Sequence, residues 1–291
     1  MKTGIARLQV IAAAILFSTG GAGIKAAAFS GVQVSAWRSG IAAIVLLLFV
    51  RGRLSLSAPV LGVGLVYGAT LTLFVLGTKQ TTAANAIFLQ STYPLYVLLL
   101  SPLLLGERIS RRDILYLTAV GAGLVLCVIG RPPATAMAPN PTLGNVFALL
   151  SGLVWALTLL GLRYVERYAA GRSPAMSAVI AGNAFASLAA VPFAWPMPSA
   201  SPVEWATIVY LGVFQIGLAY ICLTKAVGRL PALEVSLLLL LEPVLNPLWA
   251  WLVRGEQPGT WTIAGGAIII AVTAVKSMYE GYVIRPNDAV V

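Results

Sequence analysis

Ten stretches of predominantly apolar residues, separated by short connections, occupy most of this 291-residue chain: 5–25, 32–50, 58–77, 83–105, 113–130, 143–163, 174–195, 205–224, 231–252 and 259–278. An α-helix needs roughly 20 apolar residues to cross the hydrocarbon of a bilayer. Peptide groups in lipid must find partners within the protein, so only helices and closed barrels span it. Barrel strands read as alternating segments of about ten residues, whereas these blocks are about twice that length and rich in Leu, Ala and Gly. The expected fold is an all-α polytopic membrane protein with ten transmembrane helices. Only 10% of residues are charged, against about a quarter in an average soluble domain, and no separate soluble domain fits.

The first block has the look of a cleavable leader, with Lys2 and Arg7 before its apolar run and Ala26-Ala27-Ala28 after it. The run continues past Phe17 through a glycine-rich stretch, longer than a leader core. It also has a counterpart in the second half, so we expect it to remain as a spanning helix.

The net charge of +10 must be located before its sign is used. With ten spans and the N-terminus inside, one side of the membrane receives Lys2, Arg7, Arg51, Arg53, Arg108, Arg111, Arg112, Arg163, Arg167, Arg172, Lys225, Arg229, Lys276 and Arg285. The other receives Lys25, Arg38, Lys79, Arg131 and Arg254. That asymmetry follows the positive-inside rule with both termini cytoplasmic. The basicity is topological, and no nucleic-acid partner is expected.

Composition also limits chemistry. The chain has no His, two Cys and two Asp, Asp113 and Asp288, which lie in a connection and the tail. Zinc sites, histidine triads and a paired-aspartate membrane protease are excluded. Cys127 and Cys222 lie inside apolar segments and read as packing residues. No Gly-Lys dipeptide occurs, hence no Walker A loop. No metal or cofactor is expected, and a polytopic membrane enzyme has only Glu107, Arg108 and Asp113 to draw on.

The halves resemble one another. Gly77-Thr78-Lys79 ends the third segment and Leu223-Thr224-Lys225 the eighth. Tyr93-Pro94 followed by Gly106-Glu107 matches Glu242-Pro243 followed by Gly255-Glu256 at a constant offset of 149. Ile15-Leu16-Phe17-Ser18 also resembles Leu153-Val154-Trp155-Ala156. The organisation expected is a five-helix repeat over 1–130, a Pro-rich linker over 131–142, a second repeat over 143–280 and a cytoplasmic tail over 281–291. Five spans per half force the second half to enter from the opposite side, giving two inverted repeats around a central cavity. Such repeats characterise secondary transporters, with the substrate site near mid-membrane and alternating access by rocking of the halves.

These features together resemble the EamA-type drug/metabolite transporter superfamily. Within it the chain looks most like the bacterial YddG-type amino-acid exporters. The resemblance implies export across a bacterial inner membrane through a cavity lined by segments one, three, four, six, eight and nine. The partners expected are a small-molecule substrate, an amino acid or related metabolite, and the lipid bilayer, with the chain acting as a monomer. Alternatives within transport are export of cationic drugs or nucleotide-like metabolites, and passive facilitation through the same cavity.

Pro94 and Pro243 each remove a backbone donor from the middle of a segment, freeing the Gln90 and Leu239 carbonyls. They are the expected helix-break and gating positions, with a kink satisfied by neighbours as the plainer alternative. At 100° per residue Asn85, Thr92, Tyr93 and Tyr96 share one face, and Glu242, Asn246 and Trp249 share another. These polar-aromatic faces suit two walls of one substrate cavity. Trp155, near the middle of the sixth segment, needs a partner for its N–H. The resemblance puts it at the central cavity with Ser91 and Tyr93. Glu242 is the one carboxylate in the middle of an apolar run, and carries either proton coupling or a neutral structural role. Lys79 either caps its helix or contacts a substrate carboxylate. Arg38 is close enough to the outer interface for its stem to reach it, and is also a candidate partner for Glu242. The glycine patches at Gly64 and Gly68, Gly20 to Gly23, and Gly265-Gly266 read as close helix packing.

Overall fold

Apolar segments that cannot bond their peptide groups to water close them within helices, and the described residues are helical apart from short connections. The computed structural model describes residues 2–50, 54–93, 95–96, 99–100, 111–129, 135–171, 173–227, 238–239 and 241–283. The helices are α1 (Lys2–Ser18), α2 (Gly20–Ala26), α3 (Gly31–Val50), α4 (Ala58–Gln80), α5 (Ala83–Gln90), α6 (Arg111–Ile129), α7 (Pro141–Tyr168), α8 (Pro174–Ala190), α9 (Pro202–Tyr210), α10 (Ala219–Val227), α11 (Leu241–Arg254) and α12 (Thr260–Val283). A π-helical stretch, Leu211–Leu218, joins α9 to α10 without a turn.

Among the described residues, six helical stretches are long and apolar enough to cross a membrane: Gly4–Ala26, Gly31–Val50, Ala58–Gln80, Pro141–Glu166, Pro174–Phe193 and Pro202–Ala226. Ile114–Ile129 and Thr260–Lys276 are shorter apolar helices. The fourth and ninth expected segments are described only in part, and Pro94, Glu107, Arg131 to Pro133, Glu234 and the end of the tail lie outside the described residues.

The bundle is apolar outside and small or polar within. Leu8, Leu48, Leu65 and Leu115 are largely exposed, whereas Asn85, Ser151, Thr158, Asn183 and Asn246 are fully buried. That is the distribution of a bundle solvated by lipid. Trp37, Trp195 and Trp205 cluster, Trp195 tilted and Trp205 edge-on to Trp37 with ring centroids 6.1 and 5.8 Å away. Both cysteines are free.

Helix neighbours come in pairs that exchange when one half is swapped for the other. The third segment, α4, packs on the sixth, α7, as the eighth, α9 to α10, packs on the first, α1. Likewise α4 meets α8 as the π-helical stretch meets α3, and α5 meets α7 as α11 meets α1 and α2. Two further contacts, α3 with α8 and α6 with α12, join counterpart helices directly. The glycine patches lie at such crossings: a Cβ on Gly68 would stand 2.7 Å from Gly182 O, and one on Gly265 2.5 Å from Gly123 O.

Candidate substrate site

Among the described residues, three departures from regular helix lie inside the bundle. The first parts α1 from α2 at Thr19, whose N–H reaches back only three residues to Leu16 O (3.3 Å) while its hydroxyl donates to the same carbonyl (2.7 Å). The second is the π-helical stretch opposite. There Gln215 Nε2 donates to Phe17 O (3.5 Å), and the preceding Tyr210 hydroxyl donates to Thr19 Oγ1 (3.1 Å). The third follows α5. Thr92 N bonds Leu89 O (3.3 Å) and Leu95 N bonds Thr92 O (2.9 Å), both three residues back. A residue before proline is pushed out of the α region and the proline supplies no N–H, which accounts for a tightened turn just before Pro94. The freed Gln90 carbonyl does not open onto a cavity. It lies against α7, where a Cβ on Gly152 would stand 3.0 Å from it.

Between these breaks runs a belt of aromatic rings. Trp155 stands at the middle of α7 and meets Tyr93 edge-on at 6.5 Å and Tyr67 at 6.3 Å. Tyr67 meets Tyr220 at 5.5 Å, and Tyr220 meets Phe17 at 5.2 Å. The belt thus joins α7, α4, α10, α1 and the segment after α5. Trp155 and Tyr93 are half-buried, and neither the indole N–H nor the Tyr93 hydroxyl makes a hydrogen bond to a described residue. Glu242, at the start of α11, lies within electrostatic reach of Tyr93 and Tyr220. Its carboxyl makes no ion pair or hydrogen bond among the described residues. A flat apolar surface, two free hydrogen-bonding edges and a carboxyl suit a small solute with an aromatic or aliphatic body and a cationic group.

One end of the bundle is closed by a polar network. Lys25, at the end of α2, donates to Thr81 O (2.5 Å) and to Met137 O, and stands 3.7 Å from Glu256 with both side chains 5% exposed. Glu256, in the connection from α11 to α12, accepts from Ala83 N (2.5 Å) at the start of α5. Burial pushes the Glu256 carboxyl above its usual range, opposed by Lys25 and the backbone donors of Ala83 and Ala84. Lys79 donates to Ala27 O (2.6 Å). Asn145 Oδ1 accepts from Thr81 Oγ1 (2.8 Å) and Asn85 Nδ2 (3.0 Å). The ends of the first and third segments, the start of the fourth, the linker and the 255–259 connection are thereby tied together.

The residues expected to line one cavity therefore divide. Trp155, Tyr93 and Glu242 come together. Tyr96 is half-buried one turn beyond Thr92, and Ser91 turns its hydroxyl back to Ile87 O (2.7 Å). Gln90 Nε2 donates to Ser151 Oγ (2.6 Å), tying the fourth segment to the sixth. Asn85 and Lys79 belong to the end network. The single face drawn through Asn85, Thr92, Tyr93 and Tyr96 is split by the turn at residues 91–92. Trp249 donates its indole N–H to Ser18 Oγ (2.9 Å), and Asn246, fully buried with neither amide atom bonded, packs on Gly21. Both face the first segment. Pro243 is buried in the first turn of α11, and Pro247, unassigned in the sequence reading, lies inside that helix.

Arg38 departs from expectation. It is 1% exposed, turned into the bundle, and donates to Leu71 O (3.4 Å). It does not reach an interface, and no ion pair joins it to Glu242 among the described residues. The reading also gave no role to Tyr67, Tyr220 or the Lys25–Glu256 pair. The repeated Gly-Glu was visible, but nothing local to it pointed to Lys25.

A helical bundle with an apolar exterior, a mid-depth cluster of unsatisfied polar and aromatic groups and one sealed end is the build of a multi-pass membrane transporter for small molecules. The family comparison agrees: the EamA-like transporter family model matches residues 4–129 and again 142–278, and the chain belongs to that family. The pseudopaline exporter CntI of Pseudomonas aeruginosa is 29% identical over 279 residues, covering 93% of this chain and 94% of the relative. The uncharacterized transporter YyaM of Bacillus subtilis is 24% identical over 257 residues, covering 83% of each chain. A solved crystal structure with 22% identity superposes with a TM-score of 0.61 over 96% of this chain and 98% of its own, and shares the fold.

Proposed function

We propose that the chain is a secondary exporter of small metabolites, foremost amino acids including aromatic ones, as in the YddG-type exporters. It works by alternating access of two inverted five-helix halves, as a monomer in the bacterial inner membrane with both termini in the cytoplasm. The observation that carries this reading is the mid-bundle belt of Tyr93, Trp155 and Tyr67, whose Trp155 N–H and Tyr93 hydroxyl have no partner among the described residues. The exchange of helix neighbours between halves supports the inverted repeat. In the proposed orientation the Lys25–Glu256 network seals the outer end, and the breaks at Thr19 and at residues 91–92, with the π-helical stretch, are the hinges. Glu242, whose carboxyl pairs with nothing among the described residues and lies within electrostatic reach of Tyr93, is the proton-coupling or cation-binding group.

The test is uptake of a radiolabelled amino-acid panel into proteoliposomes holding the purified protein, with and without a pH gradient. Uptake is expected to vanish in Trp155→Ala, and its pH dependence to vanish in Glu242→Gln. Uptake insensitive to the gradient favours facilitated diffusion. A folded preparation that moves no amino acid overturns the substrate reading and turns attention to cationic or nucleotide-like solutes.

A further inference from the structure

Arg38 is a charge that meets no counter-charge among the described residues. It sits two turns into α3, 1% exposed, and a guanidinium stays protonated under all ordinary conditions. Its one hydrogen bond runs to Leu71 O at 3.4 Å, its Nε is buried without a partner, and no carboxylate pairs with it among the described residues. A long bond to one carbonyl leaves most of the desolvation cost of a buried cation unmet. Ionisable groups at mid-membrane depth are retained for function rather than stability.

Its surroundings offer neutral polar groups and no carboxylate among the described residues. Arg38 lies within electrostatic reach of Tyr67 and Tyr220. The Tyr67 hydroxyl is fully buried beside the Tyr220 hydroxyl and the Asn183 amide, with no hydrogen bond to either of normal geometry. Tyr67 is also the ring that touches Trp155 on one side and Tyr220 on the other. The guanidinium is therefore reached from the Trp155 site across a single tyrosine.

We propose that Arg38, with the Tyr67 hydroxyl, is the anion subsite of the transport cavity and takes the carboxylate of the solute. The planar fork of a guanidinium matches the two oxygens of a carboxylate. One cation neutralises one negative charge, which fits a monoanionic carboxylate and leaves a phosphate dianion under-compensated. The inference rests on the proposed site at Trp155, and it adds a solute class defined by its acid group, oriented with that group toward α3 and its body on the aromatic belt.

The test uses the purified full-length protein and two probes of one shape, phenylacetate and the neutral phenylacetamide, read by thermal shift in detergent and by competition against amino-acid uptake in proteoliposomes. Phenylacetate is expected to bind the wild-type protein at least tenfold more tightly than phenylacetamide, Arg38→Met to lose that preference, Arg38→Lys to keep part of it and Tyr67→Phe to weaken it several-fold. Without ligand, Arg38→Met is expected to melt at the same or a higher temperature, since it removes an unpaired buried charge. A lower melting temperature with the acid preference intact assigns Arg38 to structure and overturns the proposal, as does a wild-type protein that does not distinguish the probes. If no amino acid moves but the acid preference depends on Arg38, the anion subsite stands and the amino-acid reading falls. If amino acids move and Arg38→Met retains the acid preference, the reverse holds.

Discussion

If the Lys25–Glu256 pair holds the outer end shut, a double-mutant cycle should isolate its attraction. The charges are 3.7 Å apart and 5% exposed; at an effective dielectric of about 20 such a pair attracts by about 4 kcal/mol. Each residue also bears its own desolvation cost, so a single substitution mixes lost attraction with relieved desolvation. The cycle cancels the second part. Lys25 keeps the Thr81 and Met137 carbonyls and Glu256 keeps the Ala83 N–H, which spread some of the charge and lower the coupling to about 2–4 kcal/mol, or roughly 30- to 900-fold. The assay takes a chain with Cys127 and Cys222 replaced by Ser and Ala84→Cys as reporter, since Ala84 is fully buried beside Glu256 at the start of α5. Labelling by a membrane-impermeant maleimide from outside the cell reads the open fraction. Lys25→Met should speed labelling, and adding Glu256→Gln should slow it again, leaving the double variant more closed than the summed singles by that factor. Effects that simply add, with coupling below about 0.5 kcal/mol, would refute the latch.

The same end should respond to pH. Burial holds the Glu256 carboxyl above its usual range in the closed arrangement, so its contribution to closure is fully present at low pH and is lost as pH rises through the raised value. Maleimide labelling at Ala84→Cys, taken relative to an exposed reference cysteine that reports the intrinsic gain in thiolate, should therefore quicken with rising pH, more steeply in Lys25→Met, and this relative gain should vanish in Glu256→Gln. Beside the break at Thr19, a Cβ on Gly21 would collide with Asn246 Oδ1 and stand 3.0 Å from Ala83 Cβ. Gly21→Ala should cost about 1–3 kcal/mol by overpacking, seen as a lower melting temperature, with Asn246→Ala restoring most of it; an unchanged melting temperature would deny the close approach. In the aromatic belt, Trp155→Phe should retain part of the amino-acid uptake that Trp155→Ala loses, because it keeps a ring against Tyr93 and Tyr67 and loses only the free N–H.

What the sequence declared and what it withheld divide along a physical line. Helicity and membrane embedding were legible because lipid forces each apolar block to close its own hydrogen bonds, a constraint that acts residue by residue. The disturbance before Pro94 was legible for the same local reason, since proline removes a donor wherever it stands. The π-helical stretch Leu211–Leu218 was not, because it has no proline and an unremarkable apolar composition. Nor was the partition of the site, since a face drawn at 100° per residue from Asn85 loses its register when the chain tightens at residues 91–92. Arg38 shows the limit most plainly. Its six-residue distance from the start of the second segment is within reach of a snorkelling stem, and only the rotation of α3 against α4 and α8 decides that the stem runs inward to Leu71 O instead. That rotation is set by small residues where α3 meets its neighbours: Gly40 packs on Ser187, and Gly212 of the π-helical stretch packs on Ile41 and the Arg38 carbonyl. A charge that could have reached water is instead turned inward, against its own solvation, by the packing of α3, and with no carboxylate beside it among the described residues it is the group to which we assign the acid of the solute.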